Sequence, residues 1–85
     1  TTGVDWICVD MEHSPVTAAG VEGVIRGIER HGVTPLVRLP SIDDALAGAT
    51  KRALDAGAQG LIVPRVESAA QAEAVVTALA GFLGA

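Results

Sequence analysis

An α/β fold with a parallel sheet, in the order β-α-β-α-β-α, is predicted by three features of the sequence. First, a short apolar run opened by glycine and closed by a polar or proline residue occurs three times. These runs are Gly3 to Asp10 (GVDWICVD), Gly32 to Arg38 (GVTPLVR) and Gly57 to Pro64 (GAQGLIVP). Each is continuous rather than alternating, the pattern of a parallel strand buried on both faces. Second, segments of helical periodicity lie between and after the runs. Third, the strand ends at Asp10, Arg38 and Pro64 are spaced by 28 and 26 residues, the rhythm of right-handed βαβ crossovers.

Taken in order, the first helix is expected over residues Thr17 to His31. Val21, Val24, Ile25 and Ile28 give its i, i+3, i+4, i+7 stripe, and Glu22 and Arg26 form an i,i+4 pair on the other side. Gly32 terminates it, and His31 in the last turn is explained by the helix dipole. The second helix is expected from Asp43 to Ala56, with Ser41 and Asp44 as a capping pair and Gly57 as its stop. Gly48 weakens it locally. The third begins after Ser68, where Gln71 completes a capping box. Ala72, Val75, Val76 and Leu79 are its expected buried stripe, and Gly81 and Gly84 loosen its end.

Composition sets the bounds. The 85 residues allow one small domain, and a chain of this size buries only somewhat over about 60% of its unfolded surface. Apolar residues make up 49% of the chain, yet Trp6 and Phe82 are its only aromatics. The core must therefore come from Val, Ile, Leu and Ala, which suits helices packed closely on a sheet. Trp6 is expected in that core. The net charge is −4 and the six Lys and Arg form no basic run, so nucleic acid is not an expected partner. The single Cys8 has no internal disulfide partner and reads as a small buried hydrophobe in a reducing compartment. No stretch reaches the roughly 18 apolar residues of a membrane span. No basic n-region of a signal peptide is present either, and the expected location is cytoplasmic.

Chemistry in parallel α/β folds sits at the carboxyl ends of the strands. The first end carries Asp10-Met11-Glu12-His13, the second Arg38 and Pro40, and the third Pro64, Arg65 and Glu67. Apolar strand interiors that end in acids, a histidine and arginines suit a pocket for an anionic substrate beside an acid–base group. Plainer readings stand beside this one. A lone histidine such as His13 reads more readily as a solvated loop residue, and Asp10 and Glu12 also read as turn caps, Arg38 as a structural ion-pair partner and Arg65 as surface. No phosphate loop, dinucleotide fingerprint, zinc spacing or nucleophile elbow occurs. The βα rhythm fits both the doubly wound sheet and the eight-stranded barrel. A complete barrel takes about 250 residues, so this chain would hold three of its eight units.

At these same positions the sequence resembles the HpcH/HpaI aldolase family of metal-dependent class II pyruvate aldolases. The matching phrases are DWICVDMEHSP (Asp5 to Pro15), TPLVRLP (Thr34 to Pro40) and KRALDAGAQGLIVPRVESAAQA (Lys51 to Ala72). They cover almost the whole chain and fail only near the last ten residues. The resemblance implies a (β/α)₈ TIM barrel, with residues 1–85 a single partial domain of it. It also implies aldol cleavage of a 4-hydroxy-2-keto acid to pyruvate and an aldehyde through a pyruvate enolate. By the same resemblance His13 is the catalytic base, acting through a metal-bound water. Arg38 is the arginine that holds the keto acid and stabilises the enolate. Asp10 is an acid lining the metal and water site, and Asp55 is an aspartate that raises the basicity of the histidine. Asp55 ends a helix, at the opposite end of its own barrel from His13. A homo-oligomer with shared active sites is therefore implied.

The cofactor implied is Mg²⁺, Mn²⁺ or Co²⁺, but the family's metal ligands, a Glu and an Asp from later strands, lie beyond Ala85. Two further departures stand out. The interval from Arg38 to Asp55 is about three residues longer than the family's pattern, a comparison of sequence spacing only. Arg65 stands where many of these aldolases have methionine. Arg65 with Val66-Glu67-Ser68 is similar to the citrate lyase β-subunit and malyl-CoA lyase branch, whereas the D-x-E-H motif is that of the aldolases. A non-catalytic fragment or interaction module of such a barrel is the alternative from another class.

Overall fold

The three apolar runs form the three strands of one sheet. The structure, a computed structural model, describes residues 3–83. Strands β1 (Trp6–Asp10), β2 (Thr34–Arg38) and β3 (Gly60–Ile62) lie in the order β1-β2-β3, all parallel. The register sets Asp10 opposite Arg38, and Arg38 opposite Ile62. Two more ladder bonds continue past the strands, from Met11 N to Arg38 O (2.9 Å) and from Leu39 N to Ile62 O (2.9 Å). The three carboxyl ends are thereby drawn level, which gathers the charged residues at one edge.

Helix α1 (Ala18–Glu29) crosses from β1 to β2. The second helical region, α2 (Ile42–Asp44) and α3 (Thr50–Asp55), crosses from β2 to β3, and α4 (Ala69–Leu83) follows β3. The core lies between the sheet and the first two crossovers. Val9, Val37 and Leu39 from the sheet meet Val21, Ile25 and Ile28 of α1. Ala45, Ala49 and Ala53 join it, with Val33 and Ala58. Methyl side chains there let the backbone of the second helical region sit close to the sheet, as native packing density demands.

The expected signals at the helix ends are present. The Ser41 hydroxyl accepts from Asp44 N at 3.0 Å, and the Ser68 hydroxyl accepts from Gln71 N at 3.1 Å. The Glu22 carboxylate accepts from Arg26 Nε at 3.1 Å and Nη2 at 2.5 Å. Gly57 has φ +113°, in the left-handed region, and a Cβ there would lie 3.2 Å from Ile25 Cγ2. It therefore ends α3 in a conformation that other residues adopt only under strain.

Several expectations are corrected. The strands are not buried on both faces. Pro35 and Val37 are buried, while Thr34, Leu36 and Arg38, on the other face, are half-buried. The helices cover one face only, and among the described residues nothing covers the other. Trp6, expected in the core, is 57% exposed for that reason, and Cys8 is half-buried rather than buried. Val24 lies at the margin of its stripe and is exposed.

The second helix is not continuous. Ala45–Ala49 winds as a wide π-type turn in which Gly48 has φ +109°. The buried Thr50 hydroxyl donates to Ala45 O at 3.1 Å across it. Gly48 is thus the residue that allows the wide turn, not merely a weak point in a helix. Finally, α4 has no buried residue. Its expected stripe is open at Ala72 and Val76 and only half-buried at Val75 and Leu79. The helix continues through Gly81 to Leu83, and Gly84 lies outside the described residues. Among the described residues, no helix is long and apolar enough to cross a membrane.

Candidate active site

Asp10 is the last residue of β1, and the chain turns sharply after it. Its Oδ1 accepts from the backbone N–H groups of Glu12 (2.8 Å) and His13 (3.0 Å). This is the local turn that Asp favours because its short side chain can fold back on the following backbone. The Ser14 hydroxyl donates to the Asp10 carbonyl and accepts from Val16 N at 3.3 Å. The Asp10–Ser14 segment is therefore held by its own side chains, and it fixes where Glu12 and His13 stand.

Across the ladder, Arg38 meets Asp10 with a two-point fork. Nε donates to Oδ1 at 3.1 Å and Nη2 to Oδ2 at 2.6 Å. Register places these side chains opposite each other on the face away from the helices. The Arg38 guanidinium, with the His13 and Glu12 backbone N–H groups, holds the Asp10 carboxyl well below the usual carboxylate range. In turn Asp10 raises Arg38 above its ordinary value. Asp10 is therefore a fixed anion whose work is to orient Arg38. Nε and Nη2 are engaged, and Nη1 forms no hydrogen bond among the described residues.

His13 stands beside this pair. Its Nδ1 is 3.2 Å from Arg38 Nη2 and 3.6 Å from Glu12 Oε1. The imidazole is 62% exposed, whereas the Glu12 side chain is only 12% exposed. Glu12 faces three basic groups, since its carboxylate also lies 3.6 Å from Arg38 Nε and 3.9 Å from Arg65 Nε. Arg65 itself has φ +56°, a left-handed conformation uncommon outside glycine. Next to the cluster opens a cleft of about 440 Å³. Its walls include Glu12, His13, Pro40, Arg65, Glu67 and Gln71. All three strand ends thus contribute to one concavity.

Of the expected site residues, the structure brings together His13, Arg38 and Asp10. Asp55 does not join them. It closes α3 at the amino edge of the sheet, where its carboxylate accepts from Lys51 Nζ at 3.1 Å. Two residues with structural roles here lie outside the expected set. Ser14 braces the turn, and the sequence signal for it is a serine a few positions past a strand-ending aspartate. Glu12 is more than a turn cap, being the carboxylate shared among His13, Arg38 and Arg65.

The metal fit is negative for these residues alone. Among the described residues, no three His, Cys, Asp or Glu side chains group to hold an ion. Both Asp10 oxygens are already taken up by N–H donors, and Glu12 is committed to cations.

The family model of the HpcH/HpaI aldolase/citrate lyase family matches residues 1–82. The chain belongs to that family. It is 42% identical over 77 residues to a 2-dehydro-3,6-dideoxy-6-sulfogluconate aldolase of Pseudomonas putida. That match covers 91% of this chain and 29% of the relative. It is 44% identical to a 4-hydroxy-2-oxovalerate aldolase of Novosphingobium aromaticivorans, across 89% of this chain and 28% of the relative. With a 2-keto-3-deoxy-L-rhamnonate aldolase of Salmonella gallinarum the identity is 38%, across 92% and 28%. The chain thus spans less than a third of the length of these HpcH/HpaI relatives. The three parallel strands and their helices fit a portion of an eight-unit barrel.

Proposed function

We propose that this chain supplies the proton-transfer and anion-binding corner of a pyruvate-forming aldolase. The reaction would be reversible cleavage of a 4-hydroxy-2-keto acid to pyruvate and an aldehyde. The observation that carries this reading is the contact of His13 with an arginine that a carboxylate fork already holds in place, beside a cleft at the carboxyl edge of a parallel sheet. Aldol chemistry needs a group to move a proton and a fixed positive charge where enolate charge develops, and this corner offers both. The aldolase names of the relatives favour this reading over a lyase acting on acyl-CoA thioesters.

In this reading Arg38, pre-oriented by Asp10, presents Nη1 to the keto acid without having to be ordered at the moment of reaction. His13 holds or releases the proton at the cleft wall. A divalent ion, when bound by carboxylates outside these residues, would supply Lewis-acid polarisation of the keto and carboxylate oxygens. Asp55 would serve a histidine on a neighbouring subunit of a homo-oligomer.

The test is deuterium exchange into the methyl group of pyruvate, followed by NMR with Mn²⁺ or Mg²⁺. The polypeptide carrying these residues is used at its natural length. Exchange should fall on the order of 10²- to 10³-fold in Arg38→Ala and roughly 10²- to 10⁴-fold in His13→Ala. Retention of the full rate in both variants would sink the assignment. For Asp55, inactive His13→Ala and Asp55→Ala proteins are mixed and reassembled. Recovery of exchange is expected if subunits share sites, and none if they do not.

A further inference from the structure

Two arginines stand at the strand ends, and the reaction proposed above uses only one. Arg38 is locked to Asp10 by its fork. Arg65 donates no hydrogen bond among the described residues, and its ionic contact there is Glu12 Oε2, 3.9 Å from Nε. Its side chain is 80% exposed and lines the cleft that His13 also lines. The N–H donors of a planar guanidinium are therefore unspent at the cleft wall.

The backbone at Arg65 is unusual as well. It is the one non-glycine residue with positive φ among the described residues. Only glycine adopts that conformation without strain, and such outliers gather at functional sites. The left-handed residue comes directly after Pro64, at the end of the third apolar run, and its side chain lies on the cleft. Glu12 links it to Arg38. Glu12 Oε1 lies 3.6 Å from Arg38 Nε, while Oε2 faces Arg65. The two guanidinium groups thus flank a single carboxylate, close enough together for one small molecule to span both.

We propose that Arg65 is a specificity-determining residue that selects an aldehyde bearing an anionic oxygen group, such as a carboxylate, at the end away from its carbonyl. The inference rests on the aldolase reading, in which Arg38 holds the keto-acid half, and it names the chemistry of the other half. A guanidinium takes such a group through paired N–H···O bonds. The Glu12 contact is long and on an exposed side chain, so it costs little to exchange. Acids elsewhere on the wall sharpen the choice. Asp43 and Glu67 line the cleft and form no ion pair among the described residues. They repel an anion placed beside them, which leaves the Arg65 side for it. A neutral aldehyde gains nothing from Arg65 and leaves it with Glu12.

The experiment is aldol addition of pyruvate to 5-oxopentanoate and to its methyl ester, which differ in charge at the far end. Product is followed by NMR with Mn²⁺, on the polypeptide at its natural length. Wild type should prefer the acid over the ester in kcat/KM by about five- to tenfold. In Arg65→Gln that ratio should fall to near one, with the loss in KM for the acid, and Arg65→Lys should recover part of it. Added salt should lower the wild-type ratio. A wild-type ratio near one overturns the proposal, and so does a preference that survives in Arg65→Gln. Deuterium exchange into pyruvate separates the two readings. Exchange without acid preference removes the role of Arg65 and leaves the aldolase reading standing. Absence of exchange and of addition with either aldehyde removes the aldolase reading, and the role of Arg65 with it.

Discussion

Helices α1 and α4 are written in the same code and meet different fates. Each follows a strand, and each has an apolar stripe at helical spacing. In α1 the stripe is covered: Val21, Ile25 and Ile28 are buried against the sheet. In α4 no residue is buried, and Val76 and Leu83 are 64% and 63% exposed. What ties α4 down includes the Ser68 cap and the Lys51 ammonium 4.9 Å over the Phe82 ring. Periodicity states that a face wants a partner, but not that the partner is present.

The sharpest way to break this contrast is to truncate one apolar residue in each helix. Ile25 is fully buried, and Ile25→Ala should cost about 2–5 kcal/mol by lost burial plus a cavity. Val76→Ala, at an exposed position, should stay within about 0.5 kcal/mol. Urea denaturation midpoints measure both, and equal losses would mean that α4 is packed in solution. Next in size is Gly57→Ala, which combines positive φ with a contact against Ile25. It should destabilise by more than about 1 kcal/mol.

Capping offers a reversed test, because here α4 has the better bond. Thr17 makes no side-chain cap to α1, whereas Ser68 accepts from Gln71 N. Ser68→Ala should cost about 1 kcal/mol, visible as faster amide exchange in the first turn of α4. Thr17→Ala should be nearly silent. Smallest of all is Glu22→Ala on the outer face of α1. The exposed pair with Arg26 should be worth about 0.3–0.5 kcal/mol, and less in high salt.

Acid acts on the site rather than on the helices. Asp10 has a depressed folded-state pKa, so it binds protons more weakly folded than unfolded. Its stabilising contribution is complete above the ordinary carboxylate value of about 3.9 and declines as pH falls below it. Wild type should therefore lose stability more steeply than Asp10→Asn on acidification below that point. Parallel acid titrations followed by circular dichroism measure this.

Much of the fold was legible because it is local. Glycines at 32 and 57, serines at 41 and 68 and the three apolar runs act within a few residues of themselves, and each does so in the structure. Gly48 was harder, since a lone glycine in a helical pattern does not announce a wide turn. The candidate site residues Asp10, His13 and Arg38 could be proposed from strand-end position and family resemblance, but their bonds could not. The fork from Arg38 to Asp10 spans 28 residues of sequence and depends on the register between β1 and β2.

Element type, order and chirality of crossover are dictated by short-range patterns, so the chain's α/β character and the edge that would carry chemistry follow from residues alone. Burial and partnership do not, because they depend on surfaces brought together from distant segments. Trp6 and Val76 look like core in the sequence and stand exposed. Glu12 looks like a turn cap and becomes the carboxylate between an imidazole and two guanidinium groups. Apolar spacing encodes a preference for water's absence, whereas exclusion of water and the choice of ionic partner are properties of assembled neighbours.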